Sequence, residues 1–135
     1  MKAVLDTNVV VSGTLTPHGS CGQILDLLVE GLFELHADDR ILAEYEEVLF
    51  RPELQIDPAD AATISDWLRS VVHLTTGAPL PVKLPDPDDR VFLEVASSAG
   101  AILVTGNLRH HPTSLRSGVT VLGPAEFLEV LRRSV

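Results

Sequence analysis

The feature that most constrains this chain is an alternation of two kinds of apolar pattern. Short, nearly continuous apolar runs stand at KAVL (2–5), FELHA (33–37), VVHLT (71–75), AILVT (101–105) and VTVL (119–122). Between them lie stretches whose apolar residues recur at helical spacing. Ile24, Leu27, Leu28 and Leu32 follow Ser20, with Gly31 as a stop, and Ile41, Leu42, Tyr45, Val48 and Leu49 run up to Pro52. Ile64, Trp67, Leu68 and Val71 follow Asp57-Pro58, an N-cap with a proline at the first helical position. Phe127, Leu128 and Leu131 follow Pro124. Runs apolar at every position are strands covered on both sides, and strands alternating with helices make a parallel sheet with helices on both faces. The expectation is an α/β fold of three layers with a mostly parallel central sheet flanked by helices, its site beyond the carboxyl ends of the strands.

The remaining punctuation fits that reading. The first run ends at Asp6, and TNVVVSG after it reads as a loop or the start of a helix. Asp38 or Asp39 can cap the helix that carries Glu44. Residues 77–87 hold Pro79, Pro81, Pro85 and Pro87 and read as an extended connector, because neither flank is large enough to fold alone. Asp86 then caps a helix with Pro87 at its first position and Gly100 as its stop. With 135 residues, 45% of them hydrophobic, one domain spanning residues 1–135 is expected. No apolar stretch approaches membrane-spanning length and the N-terminus lacks signal-peptide features, so a cytoplasmic protein without a membrane segment is expected. Cys21 is the only cysteine, which excludes an intrachain disulfide or a cysteine-based zinc cluster and suits a small buried residue.

The net charge of −9 speaks against a broad basic footprint for nucleic acid. It counts for less if several acids share one site where bound cations cancel them and attract phosphate. The order of elements allows that. Asp6 stands where the first strand ends, Asn107 just past AILVT, and Asp89 in the first turn of the helix feeding that strand, positions that converge at one edge of an open parallel sheet. Crowded carboxylates repel unless protons or cations intervene, and an all-oxygen set without cysteine or a paired histidine motif favours Mg²⁺ or Mn²⁺ over Zn²⁺. Each acid also has an ordinary use. Asp6 can cap a helix, Asp88 and Asp89 suit a helix first turn, and Glu44 beside Glu46 and Glu47 can be a solvated face. His110 and His111 read as loop residues with at most a phosphate-contact role beside Arg109, and Tyr45 and Trp67 as core or interface.

Together, VLDTNVVVSG, LAEYEEVL, DPDDRVFLEVASSAGA, ILVTGNLRHHP and the closing GPAEFLEVL resemble the PIN-domain family, specifically its VapC-like toxin ribonucleases. The resemblance runs over nearly the whole chain. It implies the PIN-like fold and, position by position, makes Asp6, Glu44 and Asp89 the first three acids of a metal-dependent catalytic site. Many family members carry a fourth acid just after the TG turn; this chain has Asn107 there, which can coordinate through its carbonyl or position a water but adds no charge. Asp86 or Asp88 could supply that charge, and Asn8 holds a supporting role. The activity implied is Mg²⁺- or Mn²⁺-dependent hydrolysis of RNA by in-line attack of water, in a toxin paired with an antitoxin protein, often as a homodimer. The antitoxin expected is a short basic segment that places an Arg or Lys among the acids. Two other readings stand beside this. A haloacid-dehalogenase-type phosphatase would need a second Asp where Asn8 stands. A catalytically impaired PIN-like module that only binds RNA or protein would follow from loss of the fourth acid.

Overall fold

The computed structural model describes residues 1–134. Among them, strands β1 (Lys2–Leu5), β2 (Glu34–Ala37), β3 (His73–Leu74), β4 (Ile102–Val104) and β5 (Val121–Leu122) form one sheet. Its order is β3-β2-β1-β4-β5 and every neighbouring pair is parallel. The central strand β1 has Ala3, Val4 and Leu5 wholly buried, as a strand covered on both faces must. Its register pairs Ala3 with Ile102, Val4 with Leu103 and Leu5 with Val104, so Asp6 and Thr105 emerge side by side.

Six helices flank the sheet: α1 (Thr7–Leu15), α2 (Ser20–Val29), α3 (Asp39–Leu49), α4 (Pro58–Val71), α5 (Arg90–Ala99) and α6 (Pro124–Arg133). Parallel strands joined by right-handed crossovers carry the β1→β2→β3 connections over one face and the β3→β4 return over the other. The packing follows: α5 lies against β1, β2 and β4, whereas α1 packs on α2 and α3, α2 on α6, and α3 on α4. The α/β, three-layer arrangement expected from the alternation is therefore the one adopted. One apolar core runs through it, with Tyr45, Phe92 and Phe127 the bulkiest fully buried side chains.

Local differences have local causes. TNVVVSG is helix α1, begun directly after Asp6. VVHLT supplies only the two-residue edge strand β3, extended by one bond from Thr75 N to Ala37 O. The segment from Asp86 opens as a 3₁₀ turn, Pro87–Asp89, and runs on into α5, which ends at Gly100 with φ +65°. The proline-rich connector is tied to α5 by Ala78 N donating to Ser98 Oγ and Leu80 N donating to the buried Glu94. That seam delivers Asp86 and Asp89 to the carboxyl end of the sheet.

Candidate active site

The topology reverses direction between β1 and β4, the place where open α/β sheets form a crevice. Asp6 sits there at the N-cap position of α1, yet its side chain makes no capping bond. Its Oδ2 accepts instead from the fully buried Thr105 hydroxyl at 2.7 Å, while its N–H bonds Val104 O. Thr105 Oγ also accepts from Asn107 N at 3.1 Å, and Asn8 Oδ1 accepts from Gly106 N at 3.2 Å. The loops after β1 and β4 thus hold each other through Thr105 and Asn8. Thr105 did not enter the sequence reading as a site residue, although it directly follows the last residue of β4.

Glu44 comes from α3, whose start is fixed by Asp38 accepting from Ile41 N at 3.0 Å. The next residue, Tyr45, is buried and donates its hydroxyl to Leu5 O, pinning α3 to the end of β1. Glu44 is half-buried and accepts from the Thr7 hydroxyl. Burial pushes its carboxyl up, and the charges of Asp6, Asp88 and Glu47 add to that against the Thr7 bond.

Asp89 is 7% exposed. Burial first, then the charges on Asp6 and Asp86, push its carboxyl from the usual 3.8 up to about 6. His110 Nδ1 lies 2.9 Å from Asp89 Oδ2 and opposes the rise, but the contact is one of charge rather than of an aligned donor, because Oδ2 has no hydrogen bond. His110 Nε2 meets Asn107 Nδ2 at 3.0 Å, which ties the ring to the turn after β4.

Asp6, Asn8, Glu44, Asp86, Asp88, Asp89, Asn107 and His110 all line one open cleft of about 390 Å³, with Arg51 at its rim. Asp86 is engaged as a cap, accepting from Asp88 N at 3.0 Å. Arg109 is exposed and lies outside the lining. The residue that sequence reasoning undervalued is His111. It is fully buried, both ring nitrogens lack partners, and one ring nitrogen lies within 4.8 Å of carboxylate oxygens of both Asp6 and Asp89. Burial holds the ring's pKa down, which keeps it neutral and able to bind a cation. The adjacent pair His110-His111 sends one ring to the cleft surface and the other beneath it, a division visible only once the turn is folded.

Comparison with other proteins shows the family. The PIN domain family model matches residues 2–109, and the chain belongs to the PIN-domain family. An uncharacterized protein of Methanocaldococcus jannaschii is 28% identical over 152 aligned residues, covering 100% of this chain and 94% of the relative. Among solved structures, a chain of VapBC2 from Rickettsia felis, bound to a DNA fragment from their promoter, superposes with a TM-score of 0.61. It is 16% identical and the match covers 91% of this chain and 98% of that one, a likeness of fold. No helix among the described residues is long and apolar enough to cross a membrane.

Proposed function

We propose that the cleft hydrolyses RNA phosphodiesters with the help of Mg²⁺ or Mn²⁺, as the toxin of a toxin–antitoxin pair. The observation that carries this reading is the crowding of two buried carboxylates from different loops at the sheet's switch point, with Asp89 pushed up to about 6. A buried carboxylate oxygen without a donor is a cost that a bound cation removes. The residues therefore fit a hard divalent ion, which Asp6 and Asp89 would hold, Glu44 holding it or orienting water. Bound there, such an ion lowers the pKa of water and stabilises the departing oxygen.

The chain's own residues supply the rest. Thr105 fixes the orientation of the Asp6 carboxylate, and Thr7 does the same for Glu44. His110 and Arg51 are the cationic or titratable nitrogen groups lining the cleft among the described residues, and a phosphate would compete with Asp89 for the first and with Glu47 for the second. Asn107 adds an amide where a fourth acid would add charge, so one cation is held firmly and a second depends on the charge of the substrate phosphate. The PIN family membership supports nuclease chemistry, and the VapBC2 likeness agrees with a toxin-type fold.

The same Asn107, tied to His110, is what favours a second reading, an impaired module that binds RNA or protein without cutting. Incubating the protein with a mixed RNA pool, with Mn²⁺, Mg²⁺ or EDTA, separates the two. Cleavage that needs a divalent ion and disappears in Asp89→Asn is expected. Equal cleavage by the variant would reveal a contaminant, and intact RNA under every condition would leave the binding module.

A further inference from the structure

We propose that Glu34, His36 and His73 form a transition-metal site with the ligand chemistry of Zn²⁺, which ties the edge strand β3 to β2. None of the three lines the acidic cleft. Glu34 and His36 are two apart on β2, so their side chains share a face of the sheet. The β2–β3 register sets His73 directly beside His36, and the two rings stack with centroids 5.2 Å apart at 22°. His73 Nε2 lies 3.5 Å from Glu34 Oε1, and one ligand atom from each residue falls within 4.8 Å of the other two.

His36 points to a ligand independently of that clustering. It is 6% exposed, its Nδ1 meets the Thr75 hydroxyl at 2.9 Å, and its Nε2 has no partner. A histidine whose one nitrogen is fixed by an oxygen while the other stands bare is oriented as metal-binding histidines are. Burying a bare imidazole nitrogen opposes folding, and coordination removes that cost. Burial, then the neighbouring His73, lower the ring's pKa, and Glu34 opposes them. Lys2 is the nearby cation, and its ammonium donates to Ala99 O.

Two imidazoles and one carboxylate make a nitrogen-rich set that binds Zn²⁺ in preference to Mg²⁺, leaving a fourth position open. The role follows from where the ligands lie. β3 is only two residues long and stands at the sheet edge, held by a single neighbour. A cation shared between β2 and β3 adds the cross-tie that so short a strand lacks.

The test is calorimetric titration of the whole protein with Zn²⁺ in excess Mg²⁺, alongside melting curves. His73→Ala and Glu34→Gln alter partly exposed side chains and leave the core untouched. Wild type is expected to take up Zn²⁺ and to melt higher with it, and each variant is expected to bind at least about tenfold more weakly and to lose the melting shift. Asp89→Asn is expected to leave this Zn²⁺ binding unchanged. Absence of Zn²⁺ uptake by wild type, uptake indifferent to both edge variants, or uptake lost only in Asp89→Asn would each overturn the site.

Discussion

Asp89 carries the sharpest electrostatic consequence in the protein. Its folded pKa of about 6 lies above the ordinary 3.8, so protonation favours the folded state. The corresponding stability is fully present below about pH 4 and is lost as pH rises through about 6. His111, and His36 at the sheet edge, shift the opposite way, downward from 6.5 by burial, so their contribution is present above 6.5 and lost as pH falls. Comparing wild type with Asp89→Asn isolates the first effect. In EDTA at pH 7.5 the variant is expected to be more stable by on the order of 1–3 kcal/mol, and the gap should close as pH falls through 6 toward 4. Urea unfolding across that range measures it. With Mn²⁺ present the order should invert, because only wild type gains binding energy. A variant less stable than wild type in EDTA at pH 7.5 would mean that Asp89 is held by a favourable contact rather than crowded.

The elements show which parts of the fold an isolated sequence can reveal. The central strands β1 and β4 were readable as apolar runs because a strand buried on both faces favours apolar residues throughout, whereas β2 and the edge strand β3 carry Glu34, His36 and His73 and were marked by shorter apolar stretches, and Gly31 and Gly100 marked helix ends because both adopt positive φ, at 76° and 65°. TNVVVSG stayed open between a loop and a helix start because its β-branched valines favour a helix only weakly, and packing of α1 against α2 and α3 decides it. The acids Asp6, Glu44 and Asp89 could be named as candidates and do line one cleft, but the atoms that aim them could not be foreseen. Thr105, Thr7 and Tyr45 act across gaps of 99, 37 and 40 residues, which no local pattern encodes. The connector offers a prediction of this kind. Gly77 passes so close to α5 that a Cβ there would sit 2.8 Å from Val95 N and 2.9 Å from Glu94 C, backbone atoms that cannot yield cheaply. Gly77→Ala is therefore expected to cost about 1–3 kcal/mol and to loosen the seam that presents Asp89. Denaturant midpoints and Mn²⁺ affinity should fall together; an unchanged midpoint would show that the connector does not rest on α5.

The distribution of charge over the protein sets its choice of partner. The net charge is −9, and several surface arginines are already committed: Arg40 to Asp38, Arg51 to Glu47, Arg69 to Glu46 and Arg133 to Glu129. What remains open is the acidic cleft, so the field around it steers cations inward and gives RNA little help. A guanidinium suits that cleft, since it can bind a carboxylate through two parallel hydrogen bonds and would stand where the proposed divalent ion would sit. Apolar residues are at hand to secure such a partner: Val11 and Val48 line the cleft on α1 and α3, and Phe50, 44% exposed, lies just past the end of α3. The expected partner is a short basic segment that inserts an Arg or Lys among Asp6, Glu44 and Asp89 while its apolar face packs beside α3. Co-purification from the native host with mass spectrometry should recover a small basic protein, millimolar Mn²⁺ should compete with it, and Asp6→Asn should weaken its capture at least about tenfold. Nuclease recovered alone and active at every growth stage would rule the inhibitor out, and capture indifferent to both Mn²⁺ and Asp6→Asn would place the partner on another face.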